Sequence, residues 1–376
     1  MHTTPQRRRT ILSCAWIAIL CCGLALARAP RPTTAQAPAD QRQVVRIAAA
    51  THEQAHALSA RGLDLLEMRD GDDLFAIVSE AEISELQAAG YAVRPDAEQT
   101  RLAAARPRVM PVLGGYRTVE EGYALLDTWQ ETYPTLAKTF VYGASWERLD
   151  PGVGAGYDLK GITLTNQLIP GPKPIFFLMS AIHAREMTTA EISLRFVDYL
   201  LTNYATNADI RWMLDEHTIV VVPFANPDGR KIAETGQSQR KNRNTVDTPT
   251  CTGVNIGVDL NRNSHFKWGT VDKPTTSPCG ATWPGKSVAS EPEVSGLEAW
   301  VTRLFADLRG PNDSDPAPDT TPGVFISLHS YSNLVLWPYG WTYDPAPNDA
   351  DLAGLGRKFA SYNNYPAQQS TDLYPT

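Results

Sequence analysis

Pro174-Ile175-Phe176-Phe177-Leu178-Met179-Ser180-Ala181-Ile182 runs directly into His183-Ala184-Arg185-Glu186. The first nine residues form an almost unbroken apolar run of strand length. Without polar alternation, such a run reads as a strand covered on both faces. The polar stretch after it falls beyond the strand's carboxyl end, where open α/β domains gather their sites. His183 and Glu186, three residues apart, can converge on one ion if the chain turns between them.

Working outward, the chain alternates between strand and helix patterns. Residues 118–133 and 189–204 carry helical apolar stripes, and 218–224 is a second apolar, β-branched run. Residues 291–308 read as a helix introduced by Ser290, with Glu293 three residues on at capping-box spacing. Residues 323–328 and 334–338 read as further strands, and 312–322 as a polar loop. This alternation predicts an α/β domain over 116–376, with a mixed, largely parallel central sheet flanked by helices. Upstream, 41–98 reads as a small α/β unit. It has strands at 44–47, 63–68 and 74–78 and helices at 51–61 and 79–89, the last capped by Ser79 with Glu82. That unit is expected to be either a pro-segment or a retained accessory domain. Residues 99–115 form a junction, with three arginines in its first part, that proteases could reach. No internal repeat is present.

The chain has 376 residues, 20% charged and 43% hydrophobic, with a formal net charge of -7. This suits a globular protein with a sizeable core and gives no basic footprint for nucleic acid. Arg7, Arg8 and Arg9 precede an apolar run at 11–25 and A-x-A sequences ending at Ala27 or Ala29. Residues 1–29 therefore read as a signal peptide and 30–40 as a Pro-rich linker. The apolar run is short for a membrane span, so no stable span is expected after cleavage. The expected location is extracellular or periplasmic. Of the five cysteines, Cys14, Cys21 and Cys22 leave with the signal peptide. Cys251 and Cys279 remain as an even set in an oxidising compartment, which predicts a disulfide between them.

His329 also follows an apolar run, 323–328. With His183 and Glu186 it makes a His₂Glu set that leaves a fourth position for water, the pattern of a catalytic rather than a structural zinc site. H-x-x-E alone is weak, since an exposed polar pair at a helix start looks the same and a lone histidine is often a core residue. The surrounding text decides: Asn226-Pro227-Asp228-Gly229, Gly257-Val258-Asp259-Leu260-Asn261-Arg262-Asn263, Ser327-Leu328-His329-Ser330-Tyr331-Ser332, and Leu336-Trp337-Pro338-Tyr339-Gly340. In order and content these motifs resemble the zinc carboxypeptidase family that includes the pancreatic carboxypeptidases A and B and bacterial carboxypeptidase T. The likeness runs from about Tyr116 to the C-terminus.

The resemblance implies roles. His183, Glu186 and His329 match the ligands of one zinc ion per chain. Arg185 and Tyr331 match residues lining the substrate cleft. Arg240 matches the arginine that polarises the scissile carbonyl. Asn261 and Arg262 match the pair that grips the substrate's terminal carboxylate, and Asp259 the carboxylate that orients the first histidine. Cys251 and Cys279 match a disulfide seen in many members. The chemistry suits the residue types: a planar guanidinium binds a carboxylate through two parallel hydrogen bonds, which lysine cannot reproduce. The partners implied are peptides or proteins with a free C-terminus, acted on by a monomer. Asp228-Gly229 reads as an ordinary turn.

The sequence departs from the family at two points. The family's general-base glutamate lies on a late strand, yet no glutamate follows Glu298. Only Asp344, Asp349, Asp351 and Asp372 supply carboxylates beyond His329. Tyr362, Tyr365 and Tyr374 do not stand in the context of the family's lid tyrosine. The expectation is a chain cut short at its C-terminus that binds zinc but hydrolyses feebly, with a last strand missing and a sheet edge exposed. Two other readings stay open: a same-fold amidohydrolase of peptidoglycan fragments or acyl-amino acids, and a catalytically silent zinc- or peptide-binding module.

Overall fold

The computed structural model describes residues 42–104, 115–150, 152, 154–270 and 277–375. The expected signal peptide and linker lie outside them, as does most of the junction. The first elements are β1 (Gln43–Ala48), α1 (His52–Ser59), β2 (Asp64–Asp70), β3 (Asp73–Val78), α2 (Glu80–Ala88), β4 (Val93–Pro95) and α3 (Ala97–Ala104). Ser79 and Glu82 form the expected capping box, and Thr51 and Gln54 form another. The strands make an antiparallel sheet in the order β2-β3-β1-β4. Its core of Val45, Ile47, Leu58, Leu65, Leu74 and Leu86 is completed by Leu373 and Tyr374 from the far end of the chain. The beginning of the expected junction belongs to α3, which Thr100 fastens by accepting the Val44 N–H at 2.9 Å.

The larger part continues with α4 (Val119–Thr132), β5 (Ala137–Ala144), α5 (Trp146–Leu149), β6 (Asp158–Leu164), β7 (Ile175–Ser180), α6 (Met187–Asn203), α7 (Ala208–Glu216), β8 (Thr218–Val222) and α8 (Pro227–Ala233). It ends with α9 (Pro292–Leu304), β9 (Val324–Leu328), β10 (Val335–Trp337), α10 (Asp349–Asn363) and β11 (Ala367–Gln369). The central sheet is mixed, in the order β5-β6-β8-β7-β9. β5, β6 and β8 pair antiparallel, while β8, β7 and β9 run parallel. Alternate side chains of its strands enter two cores. Leu178, Val221 and Ile162 pack under α4, α6 and α7, whereas Phe177, Met179, Val220 and Val222 pack against α9. Covering on both faces explains why β7 and β8 read as continuous apolar runs.

Three local expectations need correction. Residues 334–338 do not join the central sheet; β10 pairs only with β11, in a separate parallel ladder. Ser290 does not cap α9. The N-cap is Glu291 and the first helical residue is Pro292, while the Ser290 hydroxyl donates to Glu291 Oε1 at 2.8 Å and accepts from Asn263 at 3.0 Å. Asn226-Pro227-Asp228-Gly229 is not an isolated turn but the start of α8: Asn226 accepts the Gly229 N–H at 3.0 Å, and Pro227 sits where a missing N–H costs nothing. Asp228 nonetheless keeps the structural role expected of it. It is buried and accepts from Ser145 Oγ at 2.7 Å and the Glu147 N–H at 2.8 Å.

Candidate zinc-binding active site

The site follows from one register. β7 and β9 are parallel neighbours, and Ser180 pairs with Leu328. The chain therefore leaves both strands at the same sheet edge, and residues just beyond each end are thrown together. After β7 the chain turns at Ala181, whose φ of 53° is left-handed and whose N–H is held by Thr189 Oγ1 at 3.0 Å. Ala184 N–H donates to the Arg240 carbonyl at 3.1 Å. This fold-back brings His183 Nδ1 to 2.7 Å from Glu186 Oε1. From β9, His329 Nδ1 arrives 3.2 Å from His183 Nδ1 and 3.3 Å from Glu186 Oε2. The Ser330 N–H holds that second oxygen at 3.1 Å.

The far nitrogens of both rings also have neighbours. His329 Nε2 lies 3.1 Å from Ser327 Oγ, and His183 Nε2 lies 3.4 Å from Asp259 Oδ1. The Asp259 carboxylate favours a proton on His183 Nε2 and so leaves its Nδ1 free to ligate, the usual way a neighbour fixes a metal-binding histidine.

A fourth donor comes from the segment 41–98, where none was expected. Glu67 of β2 places Oε1 3.4 Å from His183 Nδ1 and Oε2 3.3 Å from His329 Nδ1. The four residues form a group able to hold a metal ion. Zinc bonds of about 2.0–2.2 Å in a tetrahedron require donor atoms about 3.3–3.6 Å apart. The separations of 3.2, 3.3, 3.3 and 3.4 Å are of that order, with Glu67 and Glu186 each meeting the two histidines through different oxygens, and one donor atom from each of the four residues lies within 4.8 Å of the others. The donor set and its spacing thus suit zinc. Burial alone would raise the Glu67 carboxyl above its usual range, but the charges of His329, His183 and Arg240 hold it well below. Burial would lower His329, but Glu67 and Glu186 push it well above the ordinary histidine range.

Arg240 lies beside this group, with only 4% of its side chain exposed. Its Nε and Nη2 donate to Asp259 Oδ2 at 3.1 and 3.0 Å, and Nη1 stands 3.9 Å from Glu67. Asp259 is fully buried, and its other oxygen accepts the Asn261 N–H at 3.1 Å. Asn261 and Arg262 thus share one tight turn with Asp259, inside the loop closed by the expected Cys251–Cys279 disulfide. Arg262, Tyr331, Arg185 and Asn261 all line one cleft of about 2330 Å³ together with His329 and Glu67. Arg185, however, is not open to a substrate: Asp64 of β2 takes its Nη1 and Nη2 in a two-pronged pair at 2.8 and 2.7 Å. The Tyr331 hydroxyl donates to Gln99 of α3 at 3.2 Å.

Sequence reasoning therefore missed Asp64 and Glu67. They lie three apart, so a regular strand would turn them to opposite faces. Between Leu65 and Arg69, however, β2 advances four residues while β3, from Ala76 to Leu74, advances two. That bulge lets both carboxylates face the site. Two acids in an otherwise apolar Asp64-Leu65-Leu66-Glu67 were the only signal.

Gly257 fixes the turn bearing Asp259. Its φ is +101°, and a Cβ there would lie 2.0 Å from the Asn242 carbonyl oxygen. Gly257→Ala is therefore expected to destabilise the protein by about 2–3 kcal/mol, read as a lower urea midpoint at unchanged slope.

A family profile described as zinc carboxypeptidase matches residues 122–375. The chain belongs to the zinc carboxypeptidase family. By that membership it is a metalloprotease of the exopeptidase class. It is 32% identical over 394 residues to a zinc carboxypeptidase of Saccharothrix mutabilis subsp. capreolus, covering 99% of this chain and 85% of that one. It is 33% identical to zinc carboxypeptidase A 1 of Anopheles gambiae, over 68% of this chain and 52% of the relative. Among solved structures, carboxypeptidase A from Helicoverpa armigera superposes with a TM-score of 0.68 at 21% identity, covering 90% of this chain and 83% of the other. That likeness shows the carboxypeptidase A-like fold, including the N-terminal α/β segment. Among the described residues, no helix is long and apolar enough to cross a membrane.

Proposed function

We propose that this zinc carboxypeptidase is exported and removes residues from the free C-terminus of peptides or proteins. The observation that carries this reading is the shared turn at 259–262. One loop supplies the carboxylate behind His183 and Arg240 and, two residues on, the Asn261–Arg262 pair at the cleft. A terminal carboxylate gripped by Asn261 and Arg262 would lay the preceding peptide bond toward the metal ligands. Arg240 would offer its guanidinium where charge develops on the carbonyl oxygen, a contact typically worth about 3–4 kcal/mol in the transition state. Arg185 and Tyr331 would line the cleft once freed of Asp64 and Gln99. His183, Glu186 and His329 would hold zinc, which when bound supplies Lewis acidity and a water with pKa near 7. The apolar leader at 1–29 and the Cys251–Cys279 disulfide support export.

The test compares an N-acylated dipeptide with its C-terminal carboxamide on the zinc-loaded protein, by binding titration and by release of the last residue. The free acid is expected to bind and to lose its last residue, and the amide to do neither. Equal binding of both would remove the carboxylate clamp and favour an amidohydrolase.

A further inference from the structure

We infer that Glu67 is a fourth protein ligand of the metal, so that zinc ties the N-terminal unit to the enzyme domain and closes its own open position. This rests on the zinc-site reading above and goes beyond it.

Glu67 uses its two oxygens on two sides of the group, one 3.4 Å from His183 Nδ1 and the other 3.3 Å from His329 Nδ1. Both oxygens thus face the histidine nitrogens that would hold the ion, and one donor atom of Glu67 lies within 4.8 Å of a donor atom on each of the other three residues. Its aim is enforced from outside the group. Asp64, one turn of the bulge earlier, is locked on Arg185 by two hydrogen bonds, and Arg69, two residues later, donates to the Asp372 and Leu373 carbonyls at 3.2 Å. β2 is thus pinned on both sides of Glu67.

Three protein ligands leave a zinc ion open to water and substrate, whereas four close it. With Glu67 in place there is no position for the attacking water, and Asp64 already occupies Arg185. The consequence is a reciprocal coupling. Zinc strengthens the docking of β2, and docking of β2 tightens zinc; catalysis requires β2 to withdraw.

The experiment uses the full chain and its Glu67→Gln and Glu67→Asp variants, with His329→Ala as the reference for a lost ligand. Zinc affinity is measured by competition with a chromophoric chelator, ligand identity by the visible bands of the Co(II)-substituted protein, and docking by amide exchange in β2. Glu67→Gln is expected to weaken zinc by about 100-fold and to shift the Co(II) bands. Zinc is expected to slow β2 exchange in the wild type but not in Glu67→Gln. Glu67→Asp keeps the charge near Arg240 but shortens the reach, so it should lose affinity too. If both variants bind zinc like the wild type with unchanged Co(II) bands, while His329→Ala does not, Glu67 is no ligand and only this inference falls. If Glu67→Asp alone matches the wild type, the role is electrostatic and the inference also falls. If the wild type binds no zinc, the underlying site reading fails.

Discussion

His329→Ala is expected to weaken zinc binding by roughly 10²–10³-fold. A four-ligand zinc site is worth about 10–16 kcal/mol, so one ligand carries about 3–4 kcal/mol. His329 stands just past the end of β9 and is partly exposed, and its contacts are with Ser327 and the other members of the group. Glu67 and Glu186 hold its imidazole well above the ordinary histidine range, so without metal its removal leaves two facing carboxylates without their cation, and the metal-free variant should melt somewhat below the metal-free parent. What disappears is the stabilisation by zinc: a hundredfold weaker site loses about 2.7 kcal/mol of linkage at fixed saturating zinc. Thermal melts with and without zinc read this directly. His265→Ala is the control, since His265 is exposed and paired with Glu298 away from the group. A zinc response unchanged in His329→Ala would place the metal elsewhere.

What could be read from the sequence followed from period and punctuation. β7 and β8 are strongly apolar because both faces are covered, β9 is mostly apolar although it lies at the sheet edge, and the ends of the three marked His183, Asn226 and His329 as positions beyond the strand ends. β5 and β6 gave no such signal. β5 is an edge strand with partly exposed residues such as Lys138 and Val141, and β6 is broken by Gly161. The ligands His183, Glu186 and His329 were legible because each sits within a long motif, whereas Glu67 was not. Its role depends on a bulge and on a docking between segments that begin more than a hundred residues apart, which no local pattern encodes. The same holds for the partner of Arg185: the residue lines the cleft as read, but its grip by Asp64 was not legible. The sequence also showed nothing of the contact that Leu373 and Tyr374 make with the N-terminal core, because apolar residues near a terminus look alike whatever they cover.

Asp259→Ala is expected to be the most damaging single change, costing about 3–5 kcal/mol of stability. One buried carboxylate serves three partners. Its Oδ2 takes two hydrogen bonds from Arg240, and its Oδ1 faces His183 Nε2 and accepts the Asn261 N–H. Removing it strands a guanidinium that is 4% exposed, and an unpaired buried charge costs far more than the pair contributed. Glu67, 3.9 Å from Arg240, can offset only part of that. Asp259→Asn separates charge from shape. It retains an acceptor for Asn261 but not the negative charge, so it should recover less than half of the loss. Urea unfolding in the presence of a chelator measures both variants without the metal's contribution. With zinc present, the loss of the group behind His183 should weaken binding by a further 10–100-fold or so. If Asp259→Ala unfolds within about 1 kcal/mol of the wild type, Arg240 has found another partner, and the carboxylate is not what holds the guanidinium beside the metal site.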